Sequence, residues 1–316
     1  LAVGAYSIFR IKKENKPENI PVMGVMGAFV FATQMVNFTI PGTGSSGHLC
    51  GGLLLSALIG PYGGFLSMMA ILLLQCLLFA DGGLMAYGCN VWNMAFYACF
   101  FGYFCIYKPI LSKNPSKKKI LIASILGSVL SLQLGAFSVT LETLISGVTE
   151  LPFLTFLSFM QPIHLAIGFV EGLITSAVLI FVYNTRPEML NINEKSNEFS
   201  FKKVIAILGI VTILIGGGIS LLASSSPDGL EWSMENVAGS TELDSKGSAY
   251  DKASEIQEKT AILPDYSISN SNNEILGTSF SGILGSVLVA VILIGGSLIF
   301  RFYKKGAKNE QTRKSA

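Results

Sequence analysis

Long apolar stretches separated by short polar or glycine-rich turns dominate the chain. The opening Leu1–Phe9 reads as the inner end of an apolar helix. Spans follow at about 21–40, 48–60, 62–80, 86–107, 120–146 and 152–183, and the turns at 41–47, 60–64 and 81–83 are built from glycine, proline, serine and aspartate. Two more spans, 204–223 and 281–300, flank a long polar segment at 224–280. Crossing a bilayer takes about 20 apolar residues in a helix, so most of these runs predict membrane helices, with 48–60 the short and glycine-rich exception. Strand-like alternation of apolar and polar residues is missing, which excludes a closed barrel, and lipid admits little else but helices. The expectation is an all-α polytopic membrane protein. It comprises a helical bundle with a truncated first helix and six further spans, then a two-span module with a long external acidic loop.

Composition agrees with this pattern. Hydrophobic residues make up 51% and charged residues 13%, against about 25% charged in soluble domains. Net charge is only +2, but its placement sets the orientation. Most lysines and arginines fall in four clusters: Arg10–Lys16, Lys108–Lys119, Arg186–Lys203 and Arg301–Lys314. By the positive-inside rule these are cytoplasmic, and they need no nucleic-acid partner to explain them. The segment 224–280 carries half of the chain's acidic residues and faces outward, either as a solvated, partly disordered loop or as a vestibule that concentrates cations. The chain therefore divides into a membrane domain over 1–190, a cytoplasmic linker over 191–203, a two-span module over 204–302 and a basic cytoplasmic tail over 303–316.

Few groups inside the spans carry chemistry. The chain has two histidines. His48 follows the turn Pro41–Gly47 at the mouth of an apolar segment, where an imidazole is costly without a partner. It reads either as a ligand for nickel, cobalt, copper or zinc or as an interfacial histidine bonded to a neighbouring carbonyl. Asp81, in the next outer turn, suits a position behind such a metal or a simple Asp-Gly-Gly turn. His164 and Glu171 are seven residues apart and share a helix face; they read as a relay, a contact with a partner protein or a buried polar pair. Glu142 falls near the outer interface. The five cysteines form no CxxC pair and read as small packing residues. A competing reading, an intramembrane serine hydrolase, would use Ser45 or Ser46 as nucleophile and His164 as base. A stand-alone secondary divalent-metal permease is a further alternative. No zinc-protease, P-loop or dinucleotide-binding pattern is present, so energy for active transport must come from other subunits.

Several separated motifs agree, in order, with one known family. Val25–Phe38, Gly42–Leu49, Gly60-Pro61 and His164–Ile174 resemble the CbiM/NikM substrate-capture components of cobalt and nickel energy-coupling factor (ECF) transporters. Ser226–Trp232 and Leu263–Tyr266, with their two flanking spans, resemble the PDGLE domain that accompanies such proteins. The resemblance implies a multi-pass protein of a prokaryotic cell membrane that captures Co(II) or Ni(II) as cargo, with no tightly bound cofactor. It also implies a transmembrane coupling subunit and two ATPase subunits as partners. The implied metal ligands are an N-terminal Met-His and a histidine at the position of His48. No Met-His opens this sequence, so those ligands are expected about twenty residues ahead of Leu1. The resemblance leads to a further expectation, that the second module can be removed without disturbing the metal pocket.

Overall fold

The computed structural model describes residues 1–14, 19–147, 151–192, 199–241, 243, 247–268 and 274–314. Lys16, Lys195, Glu242 and Asp244, which fall within the basic clusters and the acidic segment described above, lie outside the described residues.

Two helices, α1 (Ala2–Glu14) and α2 (Asn19–Gln34), open the fold. A hairpin follows, with β1 (Phe38–Ile40) antiparallel to β2 (Ser45–Gly47) and Thr39 opposite Ser46. Next come α3 (Gly52–Ile59), α4 (Pro61–Phe79), α5 (Tyr87–Leu111), α6 (Lys117–Ser146) and α7 (Phe153–Thr185). The second module holds α8 (Phe201–Gly217), α9 (Gly229–Ala238), α10 (Ser248–Thr260) and α11 (Glu274–Lys314), which continues unbroken into the basic tail. Among the described residues six helical segments are long and apolar enough to cross a membrane: α4 to α7, Phe201–Leu222 and Gly277–Ile299. Their outward rows, such as Ile122, Leu126 and Leu130 on α6 or Val287 and Val291 on α11, are exposed on the protein and suited to lipid.

Three expectations are corrected. The span drawn at 21–40 ends as a helix at Gln34, because Asn37 to Gly47 turn into the hairpin. The span drawn at 48–60 is not a full-length membrane helix. Its helix, α3, has eight residues, about 12 Å at 1.5 Å per residue, well short of a hydrocarbon core of about 30 Å. All eight are buried, so Leu53, Leu54 and Leu55 are apolar because they face protein. Lastly, the acidic segment 224–280 is not a plain solvated loop, since it folds α9 and α10 onto the membrane domain.

The two modules share one core. Phe31 of α2, Phe79 of α4 and the bulk of α3 are buried in it, and Val289 and Leu293 of α11 pack against them. Helices α2, α8 and α11 approach closely through small residues, the usual device where lipid offers no hydrophobic drive for association. A Cβ on Gly282 would lie 2.0 Å from the Gly216 carbonyl oxygen, so Gly282 admits no side chain without parting α8 from α11. On the outer side, the Leu263 amide donates to the Leu78 carbonyl at 3.1 Å, and the Tyr266 ring stacks on Phe79 at 4.7 Å.

Candidate metal cavity

A cavity of about 150 Å³ lies where the hairpin, α5, α6, α7 and the start of α9 converge, and both histidines line it. Each ring is held by its Nδ1, His48 to the Leu49 carbonyl at 3.0 Å and His164 to the Met160 carbonyl at 2.8 Å. A carbonyl oxygen only accepts, so each Nδ1 carries the hydrogen and each neutral ring keeps its lone pair on Nε2. Backbone bonds of this kind fix the tautomer of metal-binding histidines. The two readings of His48 are therefore compatible in this geometry: it bonds a neighbouring carbonyl and faces the cavity.

The segment that carries His48 is held from α7. Glu171, fully buried, accepts the Cys50 amide on Oε2 at 2.9 Å and the Gly51 amide on Oε1 at 3.0 Å. These are free amides at the start of α3, where the helix dipole favours a negative charge. Gly51 takes φ +82°, and a Cβ there would meet Val30 at 2.5 Å, so the bend from His48 into α3 requires glycine. Glu171 thus acts on His48 through the backbone, rather than by pairing with His164 one turn pair away. On the opposite wall Asn93, which is buried, donates from Nδ2 to Glu142 at 2.8 Å. That bond fixes the orientation of the amide and leaves Oδ1 buried without a partner.

The second module supplies part of the cavity wall. Asp228, Gly229 and Leu230 line it alongside the histidines. Asp228 caps α9 by accepting the Leu230 and Glu231 amides on Oδ1 at 2.8 and 2.9 Å, and Glu231 reaches back to the Asp228 amide. This reciprocal box is worth about 1 kcal/mol and holds the segment rigid. The preceding residues continue the hairpin's hydrogen bonding, with the Ser46 amide donating to Pro227 at 2.8 Å and Ser224 to Asn37 at 2.7 Å. The Trp232 indole then donates to the Thr43 carbonyl at 3.0 Å. Removal of the second module would therefore open one wall, contrary to the expectation that the pocket stands without it.

Other residues singled out in the sequence lie elsewhere. Asp81 is not in the cavity wall; it is exposed at the end of α4 and accepts the Tyr266 hydroxyl. Burial, and after it the Asp81 carboxylate, push the Tyr266 phenol well above its ordinary range. Ser45 and Ser46 are fully buried, and their hydroxyls donate to backbone carbonyls, Ser46 to Ser226 at 2.8 Å. Both hydroxyls are bonded to backbone carbonyls and neither to His164, so the nucleophile–base pair of a serine hydrolase is not formed. Asp228 and Asn93 were not singled out from the sequence. The Asp-Gly-Leu-Glu capping pattern marks Asp228 as a helix start, but nothing local marks Asn93. Among the described residues no three His, Cys, Asp or Glu side chains are close enough to hold a metal together.

The chain matches the family profile for CbiM, the cobalt uptake substrate-specific transmembrane region, over residues 1–189. It belongs to the CbiM family. Residues 202–302 match the PDGLE domain. The Archaeoglobus fulgidus protein named "Putative fused nickel transport protein NikMN" is 33% identical over 292 residues, covering 92% of this chain and 90% of the relative. The cobalt transport protein CbiM of Sorangium cellulosum is 31% identical over 193 residues, covering 59% of this chain and 83% of its own. The crystal structure of a truncated transition metal transporter superposes with a TM-score of 0.50 at 29% identity, covering 58% of this chain and 88% of that one. The CbiM-PDGLE chain is thus a multi-pass membrane protein of a cobalt and nickel transport family.

Proposed function

We propose that this CbiM-PDGLE chain is the metal-capture and permease subunit of an ATP-driven ECF-type importer for Co(II) or Ni(II) in a prokaryotic cell membrane. It would work with a transmembrane coupling subunit and two ATPase subunits. The observation that carries the reading is the convergence of both histidines on one cavity, with both Nε2 lone pairs free of the bonds that hold the rings. Imidazole nitrogen suits Ni(II) and Co(II) and discriminates against Mg(II) and Ca(II), which prefer oxygen. In this reading His48 is a ligand, and the remaining nitrogens would come from the Met-His that the family resemblance implies. One imidazole does not hold a divalent ion selectively against water.

The test is uptake of radiolabelled nickel and cobalt in cells lacking other importers. The chain, extended to begin with Met-His, is expressed with and without a coupling subunit and ATPases. Concentrative uptake is expected only with the partners, and is expected to fail in the His48→Ala variant. Accumulation against a gradient by the lone chain would overturn the ATP-driven reading in favour of a secondary permease. Uptake that survives His48→Ala would move the site away from His48.

A further inference from the structure

We infer that the PDGLE module supplies part of the metal's path: Asp228 and His164 form a receiving pair that takes a hydrated divalent transition-metal ion and passes it to His48. The inference rests on the transport reading above and assigns two residues to it that the reading does not need.

The adjacency comes from the backbone. A Cβ on Gly229 would stand 3.2 Å from His164 Cε1 and 2.9 Å from Ile167 Cδ1, so the residue after Asp228 lies against the imidazole. Asp228 spends Oδ1 on both capping bonds, which leaves Oδ2 outside the cap. His164 spends Nδ1 on Met160. Each residue is thus fixed through one atom and keeps another in reserve, a carboxylate oxygen on one side and an imidazole nitrogen on the other. Both are ordinary ligands for Ni(II) and Co(II). The third feature is Asn93, which lines the same cavity and whose Oδ1 is buried and unpartnered. A cavity of about 150 Å³ has room for an ion that retains several waters.

The donors are not close enough to chelate at once. Successive contacts follow from that spacing: the carboxylate and His164 hold the ion while it still carries water, and His48 takes it as water is shed. Weak sequential binding also suits a path, since a site that is to pass an ion on must release it.

Only two histidines are present, so histidine-selective ¹⁵N labelling of the full chain in detergent gives two imidazole sets. Co(II) is paramagnetic and perturbs any imidazole that it touches. The probe is Co(II) chloride alone, titrated into wild type, His48→Gln and Asp228→Asn. Asparagine keeps the helix cap but not the charge, which separates a ligand role from a folding role; Asp265→Asn serves as a charge control away from the cavity. Both imidazoles are expected to respond in wild type. His164 is expected to keep responding in His48→Gln. In Asp228→Asn, half-saturation of the His164 response is expected to need about tenfold more Co(II), with Asp265→Asn like wild type. A His164 signal that ignores Co(II) while His48 responds overturns the receiving pair and leaves the transport reading standing. An unchanged His164 titration in Asp228→Asn removes the carboxylate from the path. If neither imidazole responds, the receiving pair is overturned, while the transport reading, which draws its other ligands from a Met-His, is judged by the uptake test.

Discussion

Glu171 and Cys50 stand 121 positions apart in the chain, yet a 2.9 Å bond from the Cys50 amide to Glu171 Oε2 ties the middle of α7 to the strand exit that carries His48. A second bond from Gly51 makes the contact two-pronged. Truncating Glu171 leaves two buried amides without an acceptor, each a desolvation cost of about 1–3 kcal/mol. Glu171→Ala is therefore expected to lower stability by about 2–5 kcal/mol and to weaken metal binding by releasing the His48 segment. Glu171→Gln keeps one acceptor oxygen and is expected to lose less. Thermal unfolding and bound metal after dialysis measure the two effects. An unchanged midpoint for Glu171→Ala would show that the clamp is not a structural support.

Gly282 offers a test of module docking. A Cβ added there would stand 2.0 Å from the Gly216 oxygen, so Gly282→Leu must separate α8 from α11, a change costing about 1–3 kcal/mol or more by overpacking. Faster proteolysis within 224–268 is expected, together with loss of a disulfide cross-link engineered at Thr43 and Trp232. Gly295, whose Cβ would meet nothing within 4 Å, is the comparison site, and Gly295→Leu is expected to behave like wild type.

The Tyr266–Asp81 contact predicts a pH dependence. The folded phenol titrates above its ordinary value because of burial and the adjacent carboxylate. The unfolded chain loses this proton first, near pH 10, so the fold is favoured fully below that pH. Its advantage is lost as pH rises from there through the higher folded value. Denaturation midpoints of wild type and Tyr266→Phe are expected to differ most below pH 10 and to converge above it. A gap that stays constant through the alkaline range would remove the phenol's ionisation from the account.

Orientation is testable with the cysteines already present. Cys89 is exposed at the start of α5 on the side of Asp81, and Lys113 is exposed in the basic turn at the other end. An impermeant maleimide applied to intact cells is expected to label Cys89. In a Cys89→Ser, Cys105→Ser background, Lys113→Cys is expected to label only after permeabilisation. Labelling of Lys113→Cys in intact cells would invert the topology.

The long crossings were legible because lipid imposes its own rule: α6 and α7 are apolar runs bounded by polar ends, and the span estimates of 120–146 and 152–183 fall within a few residues of Lys117–Ser146 and Phe153–Thr185. The helix at 48–60 was drawn too long for the same reason. Hydropathy registers absence of water, and Leu53–Leu55 avoid water inside protein. His48 was legible because an imidazole is rare and costly in such a setting. The surroundings of His48 were not, since Asp228 lines the same cavity from about 180 positions away and Glu171 acts on the backbone at Cys50 and Gly51, whose amides no side-chain pattern reveals. The Asp228–Glu231 capping box shows what local spacing does disclose: a helix beginning, without the wall against which that helix rests.

Because Asp228, Gly229 and Leu230 share a polypeptide with His48 and His164, the cavity and its covering segment exist in fixed one-to-one proportion. A separate subunit would leave as the protein is diluted, and the cavity would open according to relative expression. A tethered segment meets its site at an effective concentration of about a millimolar, whatever the abundance of the protein in the membrane. Fusion therefore converts closure from an assembly problem into an internal equilibrium.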